Sequence, residues 1–144
     1  MSGGAVGVRV DAAKRNRLRG ALAALPFIET AYLFGSVARG DAGPLSDIDV
    51  AVATRTAPAP EERMAVLAAV TGAIGRQKAD VVFLHEATPA LAFEVLRGEV
   101  LLAADEGARV EMEARIAQTW LDRAYYVERR LRWAAERMMD RGLA

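Results

Sequence analysis

Residues 32–52, YLFGSVARGDAGPLSDIDVAV, decide how this chain is read. The run from Ile28 to Phe34 alternates well enough for a strand, and Gly35-Ser36 makes a turn after it. Ser36 is placed to cap a short helix through Ala38 and Arg39, which Gly40, Gly43 and Pro44 break into a loop. A second run, SDIDVAVA, follows. Side chains on a strand alternate with a period of two, so Asp47 and Asp49 share one face while Ile48, Val50 and Val52 point the other way, into a core. Two adjacent carboxylates repel each other, and a site that keeps both ionised normally needs a cation between them. The stretch therefore predicts strand, turn, loop and strand, with a metal site on the second strand.

Outward from that unit, the rest of the chain supplies helices and two more strands. Asp11 is placed to cap a helix in which Leu18, Leu22 and Leu25 recur at helical spacing, with Pro26 beyond its end. After TRTAPAP, Pro60 at a first helical position, with Glu61 and Glu62 in the first turn, opens a helix to about Ile74, its stripe read as Met64, Leu67, Val70 and Ile74. Gly75 ends it. Asp80–Leu84, DVVFL, reads as a third strand; Thr88-Pro89 opens a helix to Arg97, closed by Gly98; Val100–Ala103 reads as a fourth strand. From Gly107 to nearly the end, at 107–141, one long helix carries Val110, Ala117, Ala124, Leu131 and Met138 every seven residues. The simpler expectation is that this stripe packs on the chain's own sheet. Trp120, Tyr125, Tyr126 and Trp133 fall at different angles around that helix, so some lie off the stripe, a reason to expect a protein interface there.

This element order predicts an α/β (α+β) fold, a mixed β-sheet of about four strands backed by helices. Residues 1–144 form one domain, with residues 1–8 a loose, glycine-rich tail and the 107–141 helix a candidate docking surface. At 144 residues the chain is long enough to bury a core without covalent staples. Its 53% hydrophobic and 26% charged residues suit a globular protein. Nineteen basic residues balance nineteen acidic ones, so no global field draws it to nucleic acid, and direct nucleic-acid binding is not expected. No cysteine and a single histidine, His85, exclude thiolate and histidine-cluster metal sites within one chain. Any metal is held by oxygens, which favours Mg²⁺ or Mn²⁺. No apolar run reaches the roughly 18–20 residues of a membrane span, and the N-terminus lacks the order of a secretory signal, so no membrane partner and a cytoplasmic location are expected.

Three features converge if the strands are neighbours. Gly35 lets a phosphate approach the backbone, the amides at a helix start favour its charge, and the Ser36 hydroxyl adds a donor. Asp47 and Asp49 supply oxygens on one strand face, and Asp80, opening DVVFL, supplies a third carboxylate. Such a trio beside a phosphate cradle is what two-metal phosphoryl or nucleotidyl transfer requires. Each feature alone has an ordinary alternative. A Gly-Ser after a strand is usually only a turn, an Asp-x-Asp on a solvated strand face is usually only polar, and Asp80 alone reads as a strand-opening residue. Ser46 is either a turn residue or an orienter of the neighbouring carboxylate; Arg39 either faces phosphates or pairs with Asp41. His85, five places past Asp80 and on the opposite strand face, reads as structural or exposed.

Phe34-Gly35-Ser36, then Ala38-Arg39-Gly40, then Ser46-Asp47-Ile48-Asp49-Val50, resembles the motif of the polymerase-beta-like nucleotidyltransferase superfamily. Within it, GSVARGDAGPLSDIDVAV is most similar to the minimal nucleotidyltransferases (MNT), which pair with HEPN proteins. The resemblance implies a polymerase-beta-like core with ATP as donor, two Mg²⁺ ions, transfer of a nucleoside monophosphate to a hydroxyl, and release of pyrophosphate. By position it implies Gly35 and Ser36 at the triphosphate, Asp47 and Asp49 as metal ligands, and Asp80 as the third carboxylate that binds metal and helps deprotonate the acceptor. It further implies an antitoxin that adenylylates a tyrosine of a HEPN ribonuclease toxin. A small-molecule, aminoglycoside-type nucleotidyltransferase and a non-catalytic antitoxin acting by occlusion are the alternatives, and a homo-oligomer is compatible with all three.

Overall fold

In a computed structural model that describes residues 10–35 and 47–142, four strands and four helices among the described residues follow one another in the order the sequence predicts, while the short helix expected after Ser36 lies outside them. Helix α1 spans Ala12–Ala23, strand β1 Ile28–Phe34, β2 Ile48–Thr54, α2 Pro60–Ile74, β3 Ala79–Phe83, α3 Pro89–Leu96, β4 Glu99–Ala103 and α4 Glu106–Asp140. A single 3₁₀ turn, Leu84–Glu86, follows β3. The starts follow from local chemistry. The Asp11 carboxylate accepts the Lys14 amide at 2.7 Å and the Thr88 hydroxyl accepts the Leu91 amide at 3.2 Å, each satisfying an N–H that the first turn leaves without an intrahelical partner. Pro60 occupies the first turn of α2, where its missing N–H costs nothing, and the Glu62 carboxylate reaches back to accept the Ala59 amide at 2.8 Å.

The sheet has the order β3-β2-β1-β4. β1 pairs antiparallel with both β2 and β4, while β2 and β3 run parallel, as a crossover through α2 requires. Helices cover both faces, which is why β1 and β2 are buried along almost their whole length rather than at alternate positions. On one face α1 and α2 bring Leu18, Leu22, Val66 and Val70 against Ala31, Leu33, Val50 and Val52. Leu18 and Leu22 are wholly enclosed, each contributing about 1.5–3 kcal/mol by burial. On the other face Val95 and Leu91 of α3 and Met112 of α4 pack on Tyr32, Phe34 and Ala51. Basic side chains lace α1 to the frame: Arg19 Nε donates to Leu101 O at 2.7 Å, Arg17 Nε to Ala73 O at 3.1 Å, and Arg15 pairs with Glu99 at 2.8 Å.

Two expectations need correction. The buried stripe of α2 is Val66, Val70, Ala73 and Ile74, whereas Met64 and Leu67 are 65% and 42% exposed. PEERMAVLAAVTGAI is apolar around most of its circumference, so its periodicity fixes no single face. The long helix, in turn, packs on its own domain only through its first half. Met112, Glu113, Ile116 and Trp120 are half-buried, and Trp120 stacks on Phe93 with ring centroids 5.5 Å apart, but every residue from Leu121 to Asp140 is exposed. A 35-residue helix is about 52 Å long, and the sheet beneath it ends well before that.

Candidate active site

The carboxyl end of β1 and the amino ends of β2 and β3 meet at one edge of the sheet. Phe34 is paired with Asp49, and Asp49 with Asp80. In-register partners on adjacent strands lie about 5 Å apart with side chains on the same face, so the structure brings Asp49 and Asp80 side by side. Their face is that of Ala51 and Val82, the one covered by α3 and α4. Asp47 stands one residue before β2 and is half-buried. The Ile48 amide donates to Lys78 O at 2.9 Å, tying the start of β2 to the segment just before Asp80.

Gly35 is required here for two independent reasons. Its φ of +76° is a left-handed conformation that side chains disfavour, and Asp49 Oδ2 occupies the place where a Cβ would stand. The turn and the carboxylate are thus fitted to one another. Gly98 has a comparable role at the neighbouring junction: a Cβ there would collide with Leu33 O and Phe34 Cβ, so this glycine lets the α3–β4 connection close against the end of β1. The sequence presents Gly98 only as a helix terminator. Ser36, Arg39 and Ser46 lie outside the described residues.

Among the described residues no three acidic or histidine side chains are gathered closely enough to hold a metal ion, so the structure brings together the pair Asp49 and Asp80 but not the expected trio with Asp47. A small, hard cation such as Mg²⁺ keeps several waters and needs only one or two carboxylates plus the phosphates of its substrate, so two adjacent carboxylates would be enough to seat one. Asp49 and Asp80 are an adjacent oxygen pair on one face of the sheet, with the Gly35 turn against Asp49. His85 lies elsewhere. It falls in the 3₁₀ turn beyond β3 rather than on the strand, exposed, with Nδ1 3.4 Å from Thr54 Oγ1 at the opposite end of β2. A cavity of about 330 Å³ at that end, between Thr54, His85 and α4, is lined by Glu29 and Glu111 but by none of Asp47, Asp49 and Asp80.

One network that the sequence does not announce holds α4 over this face. Tyr32, 1% exposed, donates its hydroxyl to Glu113 Oε2 at 2.9 Å, and Glu113 pairs with Arg109 one turn earlier. Burial and the Glu113 carboxylate push the Tyr32 hydroxyl well above the ordinary phenol range, so it stays a donor. The i, i+4 spacing of Arg109 and Glu113 was the available signal, but such pairs are commonplace on exposed helices.

Paired aspartates at the strand ends beside a glycine turn are an arrangement suited to phosphoryl or nucleotidyl transfer. The chain belongs to the polymerase beta nucleotidyltransferase family, whose pattern matches residues 16–107. No curated protein gives a significant match. Among solved structures, a toxin–antitoxin complex with AMP-PNP contains a chain similar at 20% identity and TM-score 0.63, the match covering 87% of this chain and 98% of that one. A second is the complex of the tri-AMPylated Shewanella oneidensis HEPN toxin with its MNT antitoxin, at 19% identity and TM-score 0.59, covering 91% and 97%. A third, assigned as a minimal nucleotidyltransferase, is 30% identical over 59% of this chain and 88% of its own, with TM-score 0.50.

Proposed function

We propose that this chain is an antitoxin that transfers AMP from ATP to a tyrosine hydroxyl of a HEPN-domain toxin. The observation that carries the reading is the Gly35–Asp49–Asp80 arrangement, in a chain whose fold matches partners of an AMPylated HEPN toxin. Asp47, Asp49 and Asp80 are the proposed metal ligands and Gly35 and Ser36 the triphosphate contacts, with Arg39 facing phosphate and Ser46 orienting Asp47. Two bound Mg²⁺ ions would supply charge neutralisation at the triphosphate and acidify the acceptor hydroxyl.

The tyrosine oxygen forms a bond to the α-phosphorus, the bond from that phosphorus to the bridging oxygen breaks, and pyrophosphate leaves. Asp80, the exposed member of the pair, takes the tyrosine proton and passes it to solvent. A phosphodiester anion then stands where the toxin would bind an RNA phosphate, and repulsion and bulk block it together.

Intact mass of the HEPN toxin after incubation with ATP, Mg²⁺ and a substoichiometric amount of this chain tests the reading. Increments of whole AMP units, lost on adding EDTA and in Asp49→Asn, are expected. An unmodified toxin that is neutralised only at equimolar ratio and without nucleotide would establish occlusion instead.

A further inference from the structure

In the solvent-exposed half of α4, Leu121–Asp140, the acidic residues are confined to one side of the circumference, while arginines occur on both. At 100° per residue, one half of the cylinder carries Arg123, Arg130 and Arg137 in a row at seven-residue spacing, flanked by Val127, Leu131 and Trp133, and no carboxylate. All four acidic residues of the segment, Asp122, Glu128, Glu136 and Asp140, lie on the other half. Val127, Leu131 and Trp133 are 53%, 67% and 59% exposed. The arginine half is also the continuation of the face that packs on the domain through Met112, Ile116 and Trp120. The domain stops there and the face goes on.

We infer that this arginine-lined half of Leu121–Asp140 is the docking surface for the protein substrate, and that it takes a compact protein presenting apolar side chains bordered by carboxylates. The inference deepens the proposed function and rests on its protein acceptor. Three observations select the occupant. Arginine, Trp133, and Tyr126 and Met138 on the same half, without acidic residues, are the composition of an interface centre, and the arginine row calls for carboxylates opposite. A second copy of the chain fails that requirement, because a two-fold contact would lay one arginine row on the other. A bilayer fails on shape: the domain stands out from the same side of the helix, so a flat surface is held off, whereas a compact partner fits the angle beside Phe93 and Trp120.

Two charge-matched double variants test it, both with glutamate in place of arginine so that helix propensity is kept. Arg123→Glu/Arg130→Glu is expected to raise KM for the purified HEPN toxin about tenfold or more with kcat unchanged, while Arg129→Glu/Arg132→Glu, on the other half, shifts it by no more than about threefold. Equal effects of the two variants, or none from either, would overturn the inference while leaving AMP transfer intact. Conversely, a wild-type chain that binds the toxin through Arg123 and Arg130 but adds no AMP keeps the inference and removes the proposed reaction. Binding to phosphatidylserine vesicles that is lost in Arg123→Glu/Arg130→Glu, with toxin binding unchanged, would overturn it in favour of a membrane.

Discussion

Gly35 tolerates no side chain, because its left-handed backbone and the carboxylate of Asp49 both exclude one. Gly35→Ala is therefore expected to lower stability by about 1–2 kcal/mol, read from the urea midpoint, and to reduce AMP transfer far more than that loss of folded protein explains. Asp80→Asn separates chemistry from folding: removing one of two adjacent like charges leaves the denaturation midpoint unchanged or slightly raised, while transfer falls at least about a hundredfold. Tyr32 gives a pH test. Its hydroxyl has a higher pKa folded than unfolded, so its contribution to stability is complete below about pH 10 and shrinks as the unfolded chain, but not the folded one, ionises above that. Tyr32→Phe should cost about 1 kcal/mol at neutral pH and flatten the decline in urea midpoint between about pH 9 and 11.

The elements divide into those whose ends were legible and those whose faces were not. Asp11, Pro60 and Thr88 mark helix starts because a cap is a local device, complete within four residues. The buried face of α2 is a tertiary property, and in a helix with apolar residues all round nothing local chooses Val66 over Met64. Their contrast is measurable: Val66→Ala, at 0% exposure, should cost about 2 kcal/mol in a denaturant titration, and Met64→Ala, at 65%, less than about 0.5. Asp49 on β2 was readable from a period of two, with Asp47 falling one residue before the strand, whereas the pairing of Asp49 with Asp80 depends on a crossover and a register that no short stretch encodes. His85 departs from its expected place on a strand for a similar reason, since the sequence does not show that β3 stops at Phe83.

Across the whole molecule, order is unevenly secured. The sheet and its two helical layers are held by burial, while Leu121–Asp140 is helical without a layer beneath it, and a 20-residue helix of ordinary composition is marginal alone. Amide exchange on the isolated chain should show a boundary near Trp120, slow in β1 and β2 and fast beyond Leu121, with the fast segment slowed by the toxin. The antiparallel pairing of β1 with β2 also has a kinetic consequence. Only residues 35–47 separate these strands, so closing them is a local event, whereas β1 must wait for Glu99–Ala103 to return along the chain to its other edge, and β2 must wait for the α2 crossover to deliver β3. A refolding chain should thus join Gly35 to Asp49 early and add Asp80 late. Substitutions along β1–β2 would slow folding, and those in β3 would chiefly hasten unfolding, a pattern that stopped-flow chevrons can read directly.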